Sequence, residues 1–515
     1  MAAGEMWDMR VNAHFARRAR RPLAAGGASE ADGTVGCWPI GHPATPMSLF
    51  LGLNEDVEPE GPRIKSVRAF VSRAEEYGSS DYHDTPDSHW IMGQPPMHPP
   101  IANPMTRFPR YSGSRASWGV ARVPTVVVEV EQDDGLIGIG ASCGGEAACF
   151  IIEQHLAMLV EGQSVKNITY IWEQMWRASI HYSRKGLGMH AISAIDLALW
   201  DLLGKVKGEP VYNLLGGATK GRVPLYATTA RPDLAQQKGF FGAKVPLPYG
   251  PEAGAEGMAK NVAFCAKWRD ACGATYPLML DCYMALDVQY AAELARKIAH
   301  LEYTSRAHTL CHCTPHCIRA RLSSRVCTNC VWCRYTWIEE PLMPDEYSAH
   351  ARLSEKMRGM GVTTYLATGE HEYSRWGFNA LIDAGVDLLQ PDVMWMGGVT
   401  EFARVAALAS TKGVAIVPHG SGPFGYFMCM AFANVPMAEF LVMSEDADAL
   451  TPNFGSMFVA EPMPERGYVT LPADKPGWGL AFNKRALGLV RPFAHGAVPR
   501  PLGAQRQADG QRSKL

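Results

Sequence analysis

Residues 364–420 read TYLATGEHEYSRWGFNALIDAGVDLLQPDVMWMGGVTEFARVAALASTKGVAIVPHG. Three short apolar runs in this stretch, TYLATGEHE, DLLQPDV and VAIVPHG, turn polar at their ends, at Glu370, Asp392 and His419. Helix-like stretches separate them. Strands that alternate with helices imply a parallel sheet, because each return to the start of the next strand needs a crossover. The spacings, 392 − 370 = 22 and 419 − 392 = 27, suit one strand–helix unit each.

The same grammar extends in both directions. Upstream lie VPLYAT, GFFGAKVP, YPLMLDCY and TWIEEP; downstream lies MAEFLVM, with 439 − 419 = 20. Five plus three makes eight units, the number a (β/α)8 TIM-like barrel requires. One spacing breaks the rhythm: 339 − 281 = 58. Before the barrel, residues 64–216 change character. TVVVEVEQDDGLIGIGA (residues 125–141) places two strand-like runs around Asp134-Gly135, a hairpin signal. Residues 171–180 and 191–205 carry apolar positions at i, i+3, i+4 and i+7, the pattern of amphipathic helices. The expected class is α/β: a barrel with an N-terminal α+β domain.

In a barrel, chemistry sits where strands end on the C-terminal face. The residues at those ends are Lys244, Asp281, Glu339, Glu370, Asp392, His419 and Glu439. Singly, a carboxylate after a strand is an ordinary helix cap or a solvated loop residue. Three of them ending successive strands, Asp281, Glu339 and Glu370, converge, and three like charges that close call for a cation. An all-oxygen site suits Mg2+. Asp392 and His419 on the next two strands set an Asp–His pair beside it, a base oriented by a carboxylate. Glu340 reads as a supporting or surface residue, not a ligand, and His371 as a neighbour of the site.

The motifs LMLDCY, WIEEP, TGEHE, QPDV and VPHG resemble the mandelate racemase branch of the enolase superfamily. DYHD (residues 81–84), SRASWG (114–119), PMTRFPRY (104–111), RWGF (375–378) and QPDVMWMGG are closer still to the L-rhamnonate dehydratase family within it. The resemblance covers residues 63–492 apart from the anomalous gap. It implies that Asp281, Glu339 and Glu370 bind Mg2+, which chelates the substrate carboxylate and 2-hydroxyl. It implies that His419 removes the α proton, that Asp392 raises its basicity, and that Lys244 and Glu439 stabilise the intermediate. His83 and Arg115 would close over the sugar and set specificity. The product would be a 2-keto-3-deoxy acid and water, the enzyme a hydro-lyase, and the assembly a homo-oligomer, by resemblance an octamer. L-lyxonate and L-mannonate stand as alternative substrates. Racemases of this branch carry a second Lys two positions after the first; here that position is Pro246, so a base acts on one face only and dehydration is favoured over racemisation.

Composition narrows the classes independently. Of 515 residues, 47% are hydrophobic and 19% charged, a globular balance. Lys+Arg 49 against Asp+Glu 51 gives a net charge of −2, which excludes a protein whose main partner is nucleic acid. No run of about 18 apolar residues marks a membrane span. The partner expected is a small acid sugar, not nucleic acid or a membrane.

The expected organisation is an N-terminal extension (1–62), a capping domain (63–221), a first part of the barrel (222–303), an insertion (304–336), the remainder of the barrel with a C-terminal contribution to the cap (337–493) and a tail (494–515). The extension carries Arg17, Arg18, Arg20 and Arg21, which read as a disordered tail, a misplaced start or an organelle presequence. The insertion holds Cys311, Cys313, Cys317, Cys327, Cys330 and Cys333 with His308, His312 and His316. It reads as an insertion with no ordered role, such as a retained intron would produce, with a zinc module on an inactive barrel as the alternative. The expected compartment is cytoplasmic, with the peroxisome raised by the terminal Ser513-Lys514-Leu515.

Overall fold

The structure, a computed structural model, describes residues 61–71, 100–112, 124–299, 335–444 and 446–493. His83, Arg115, the DYHD and SRASWG motifs, the Cys cluster and the terminal Ser513-Lys514-Leu515 lie outside the described residues.

Strands β1 (Ile64–Val71), β2 (Val126–Gln132) and β3 (Ile137–Ser142) form an antiparallel sheet in that order. The Asp134-Gly135 turn is where the sequence placed it. Gly135 has φ +86°, its N–H donates to Gln132 O at 2.8 Å, and Asp134 Oδ1 accepts from the Leu136 N–H at 3.0 Å. The strand period of two divides β2 between two cores. Val126, Val128 and Val130 face the helices of the cap, while Val127 joins the core shared with the barrel.

Those helices are α1 (Gly145–Ile151), α2 (Ile168–Ser179) and α3 (Leu187–Lys207). The sequence pattern of α3 predicts one solvated face, and the structure corrects this: α3 is buried on almost every side, Asp196 and Asp201 included. It is wedged between the cap sheet and the barrel. On one side Gly138 and Gly140 of β3 admit it so closely that a Cβ on Gly138 would fall 2.1 Å from Ala198 O. Its two carboxylates are satisfied rather than solvated. Asp201 accepts from the N–H groups of Ile139 and Trp478, both at 2.8 Å, and pairs with Lys205 at 2.6 Å. Asp196 accepts from the Thr400 N–H at 3.0 Å and its hydroxyl at 2.6 Å. By length and apolarity α3 could cross a membrane, but 78% of its apolar window is buried inside the protein, as in a core helix.

The barrel strands are β4 (Val223–Thr228), β5 (Ala243–Pro246), β6 (Leu278–Asp281), β7 (Trp337–Glu339), β8 (Tyr365–Thr368), β9 (Leu388–Leu389), β10 (Ala415–Ile416) and β11 (Ala438–Leu441). All eight expected runs are present and pair in parallel, in the order β10-β9-β8-β7-β6-β5-β4-β11. Strands β9 and β10 are short because Pro391 and Pro418 follow closely and have no N–H to donate. Seven connections carry helices: α4 (Pro232–Gln237), α5 (Gly254–Cys272), α6 (Val288–Ala299), α7 (Tyr347–Gly359), α8 (Ser374–Asp383), α9 (Gly398–Lys412) and α10 (Gly422–Ala431). After β11 the chain runs irregularly to a short strand, β12 (Tyr468–Val469), antiparallel to β4.

Inside the barrel, Tyr226, Met279, Trp337, Ala367 and Val417 form one layer, the side-chain filling that makes such a barrel a core and not a pore. The chain re-enters the barrel after the insertion at Thr336, whose N–H donates to Leu278 O at 2.7 Å, at the start of β6. The insertion therefore joins the barrel at the N-terminal ends of the strands, the face opposite the strand-end carboxylates.

Candidate active site

Strand register assembles the carboxylates. Asp281 and Glu339 are direct partners across β6 and β7, and Pro246 pairs with Asp281 across β5. Lys244, two residues before Pro246, is buried at the centre. Its ammonium bonds Glu339 and lies 2.9 Å from Glu439 Oε1 and 3.3 Å from Asp281 Oδ2. Burial would lower its pKa, but Glu339 and Glu439 hold it well above the ordinary value. Glu339 also accepts from Trp337 Nε1 at 3.0 Å and Gln390 Nε2 at 2.5 Å. The indole thus ties Glu339 to the layer beneath. Glu439 bonds the Thr228 hydroxyl and accepts from the Gly420 N–H at 2.8 Å. Burial acts to raise its pKa, but Lys244 and His419 bring it below the ordinary carboxylate range.

Across the mouth, His419 Nδ1 is 2.8 Å from Asp392 Oδ2, and its Nε2 is 3.1 Å from Glu370 Oε1. Asp392 is itself fixed: its Oδ1 accepts from the Met394 N–H at 2.7 Å and the Ser421 hydroxyl at 2.8 Å. Burial works against the imidazolium, but Glu370, Asp392 and Glu439 raise its pKa to about 10. The dyad expected from the spacing of QPDV and VPHG is therefore formed.

The three expected metal carboxylates are not equally placed. Asp281 and Glu339 share Lys244, whereas Glu370 faces His419 and stands 3.9 Å from His371 Nε2. Glu340 is not a surface residue. It is buried, with φ +39°, and this left-handed backbone lets two consecutive glutamates both serve the site. Its carboxylate accepts from the His371 N–H at 3.2 Å and pairs with His371 Nδ1 at 2.8 Å. Among the described residues, Glu340, Glu370 and His371 are the group whose ligand atoms all lie within 4.8 Å of one another, a spacing the expected set of Asp281, Glu339 and Glu370 does not meet.

The donor chemistry separates the two sets. Glu340 and His371 already satisfy each other as an ion pair. Burial, and then the nearby carboxylates, push Glu339 up to about 8 and Glu370 up to about 7 against the opposing pull of their cationic neighbours. Buried carboxylates so reluctant to ionise, offering only oxygen, fit a hard divalent cation.

Some residues near the site had no role assigned from the sequence, although Gln390 and Trp395 lie in QPDVMWMGG. Trp395 packs against both His371 and His419, ring centroids 5.6 and 5.1 Å away. Ser421, Gln390 and Thr228 orient the carboxylates, and a spacing argument that tracks only charged residues passes over them.

Residues 107–216 match the family described as "Mandelate racemase / muconate lactonizing enzyme, N-terminal domain", and residues 320–486 match "Enolase C-terminal domain-like". A Caldivirga maquilingensis protein named "Putative L-rhamnonate dehydratase" is 42% identical over 439 residues, covering 85% of this chain and 98% of its own. The crystal structure of a rhamnonate dehydratase from Gibberella zeae complexed with Mg superposes with a TM-score of 0.72 at 40% identity, over 84% of this chain and 97% of that one. The 3,6-anhydro-D-galactonate cycloisomerase of Zobellia galactanivorans, at 27% identity, gives 0.57 over 71% of this chain and 93% of that one. One fold thus serves more than one reaction, and the side chains decide which.

Proposed function

The chain belongs to the L-rhamnonate dehydratase family of the enolase superfamily, and on that premise we propose that it is a Mg2+-dependent hydro-lyase that converts L-rhamnonate to 2-keto-3-deoxy-L-rhamnonate and water. The observation that carries this reading is the His419 imidazole, held by Asp392 on one nitrogen and aimed at the Glu370 carboxylate with the other. A base so placed reaches a hydrogen next to a carboxylate anchored at the same cation.

Asp281, Glu339 and Glu370 hold the cation. Bound there, Mg2+ supplies positive charge that acidifies the proton α to the substrate carboxylate and offsets the charge that grows as it leaves. With the Glu370 charge taken up by a cation, His419 would give up the proton it otherwise shares with that carboxylate and could take the C2 proton at Nε2, and Asp392 stabilises the imidazolium that results. The same imidazolium returns a proton to the departing 3-hydroxyl, which leaves as water. The remaining enol moves its O2 proton to solvent and gains one at C3, giving the keto acid. Lys244 and Glu439 line the opposite side, and their mutual ion pair keeps that wall charged but unreactive. With Pro246 in place of a second lysine, no base faces the other side of C2 from that position. His83 and Arg115 take the sugar tail.

The test is a panel of acid sugars incubated with and without Mg2+, with the keto acid as readout. The reading requires L-rhamnonate to be the best substrate and turnover to need the metal. Preferred turnover of another acid sugar would reassign the substrate.

A further inference from the structure

His190 lies on α3, outside the dyad and the carboxylates, yet it connects three segments. Its Nδ1 is 3.2 Å from Ser142 Oγ, at the end of β3, and its Nε2 is 3.2 Å from Tyr373 OH, in the loop that follows Glu370. The directions of these bonds can be assigned. Ser142 Oγ donates its single proton to Met394 O at 2.5 Å, so toward His190 it can only accept. Nδ1 therefore carries the hydrogen. Neutral Nε2 is then an acceptor, and the Tyr373 hydroxyl supplies its proton. Burial keeps the imidazole neutral, lowering its pKa to about 4, and holds the Tyr373 hydroxyl protonated by raising its pKa. One chain results: Tyr373 to His190 to Ser142 to Met394 O.

The end point matters for the chemistry. The Met394 carbonyl accepts from Ser142, while the N–H of the same residue donates to Asp392 Oδ1. Trp395, next in sequence, stands edge-on to His190 at 5.6 Å and packs on His419 at 5.1 Å. The turn that orients the base is thus tied to the capping domain.

The geometry points to Ser142, His190 and Tyr373 as a directional strut, with His190 a positioning residue that fixes the Asp392–Trp395 turn, and through it His419, to the capping domain. This rests on the dehydratase reading for its consequence in catalysis, but not for its geometry. A strut of this kind is set before substrate arrives, so its loss slows the chemical step more than it weakens binding.

Two measurements test it. Selective 15N-histidine labelling of the full chain, with the His190 signal assigned by its disappearance in His190→Asn, should show a neutral imidazole with the hydrogen on Nδ1, unchanged between pH 6 and 8. A charged ring at pH 7, or the hydrogen on Nε2, overturns the strut whether or not L-rhamnonate is the substrate. Kinetics then test its role. Tyr373→Phe keeps the ring and removes one link, and should lower kcat about tenfold with KM within about twofold. His190→Ala should do the same, and the double variant should cost no more than the worse single, because both break one chain. Independent, additive losses, or losses confined to KM, would contradict the positioning role. Should His190→Ala fail to fold, Tyr373→Phe and Ser142→Ala carry the same comparison. Absence of turnover in the unaltered protein would sink the dehydratase reading and leave the tautomer result standing.

Discussion

His419 Nδ1 and Asp392 Oδ2 are 2.8 Å apart, and Asp392 is held by the Met394 N–H and the Ser421 hydroxyl on its other oxygen. The carboxylate therefore cannot turn away, and it leaves the other imidazole nitrogen, Nε2, facing Glu370 Oε1 at 3.1 Å. Asp392→Asn keeps the shape but offers an amide to Nδ1. The expected result is a fall in kcat on the order of 10²–10⁴, since an orienting carboxylate sets both tautomer and imidazolium stability. KM should change little. Steady-state kinetics with saturating Mg2+ read this directly, and a kcat within twofold of the unaltered enzyme would dismiss the dyad.

Lys244 forms ion pairs with both Glu339 and Glu439. Lys244→Met leaves two buried carboxylates without it. Removing one partner of a buried ion pair costs about 3–5 kcal/mol, so the denaturant midpoint should drop sharply. Adding Glu439→Gln to that variant should recover part of the loss. No recovery in the double variant would mean that the lysine stabilises the barrel by packing alone.

The two donor sets make opposite predictions about the metal. If Asp281, Glu339 and Glu370 hold it, Asp281→Asn abolishes Mg2+ binding in a calorimetric titration, whereas Glu340→Gln leaves it within about tenfold, as a change beyond the ligands does. The reverse pattern would place the ion on Glu340, Glu370 and His371.

Asp196 gives the fold a pH dependence of its own. Burial raises its pKa from 3.8 to about 7, against the pull of the Thr400 hydrogen bonds. Between those values the folded state binds more protons than the unfolded one, so stability falls as pH rises from about 4 to about 7, by as much as about 1.4 kcal/mol per pH unit. Above pH 7 this contribution levels off. Asp196→Asn should flatten the urea midpoint over that window. It should also lower the midpoint overall, because the amide has one acceptor oxygen where the carboxylate uses two, for the Thr400 N–H and hydroxyl. A slope equal to that of the unaltered protein would remove Asp196 from the account.

Most of the barrel was legible because its strands end in charged residues at near-regular spacing. Asp281, Glu339, Glu370, Asp392 and His419 stand at strand ends or just beyond them, whereas Lys244 and Glu439 are each the second residue of their strand. The hairpin was legible because Asp134-Gly135 meets the backbone demand of a tight turn. Helix α3 was misread because periodicity reports apolar positions and not what covers the polar ones; Asp196 and Asp201 look like a wet face until Thr400 and Trp478 arrive from about 200 and 280 residues away. Of the two readings of Glu340, a supporting residue or a surface one, the first holds, since it is buried and paired with His371. Strand alternation sends it away from Glu339, and only its positive φ brings it to His371. His190, Ser142 and Tyr373 come from three separate segments, and no spacing rule brings them together.

The central claim is that His419, beside a Mg2+ held on three carboxylates, removes the C2 proton of L-rhamnonate and expels its 3-hydroxyl. Its most direct test is mass spectrometry of the product formed in D2O by the Mg2+-loaded protein and by His419→Asn. The account predicts a keto acid lighter than substrate by one water and carrying solvent deuterium at C3, with none from His419→Asn although that variant still binds Mg2+. Product from the variant at the unaltered rate, or no keto acid from either, would contradict it.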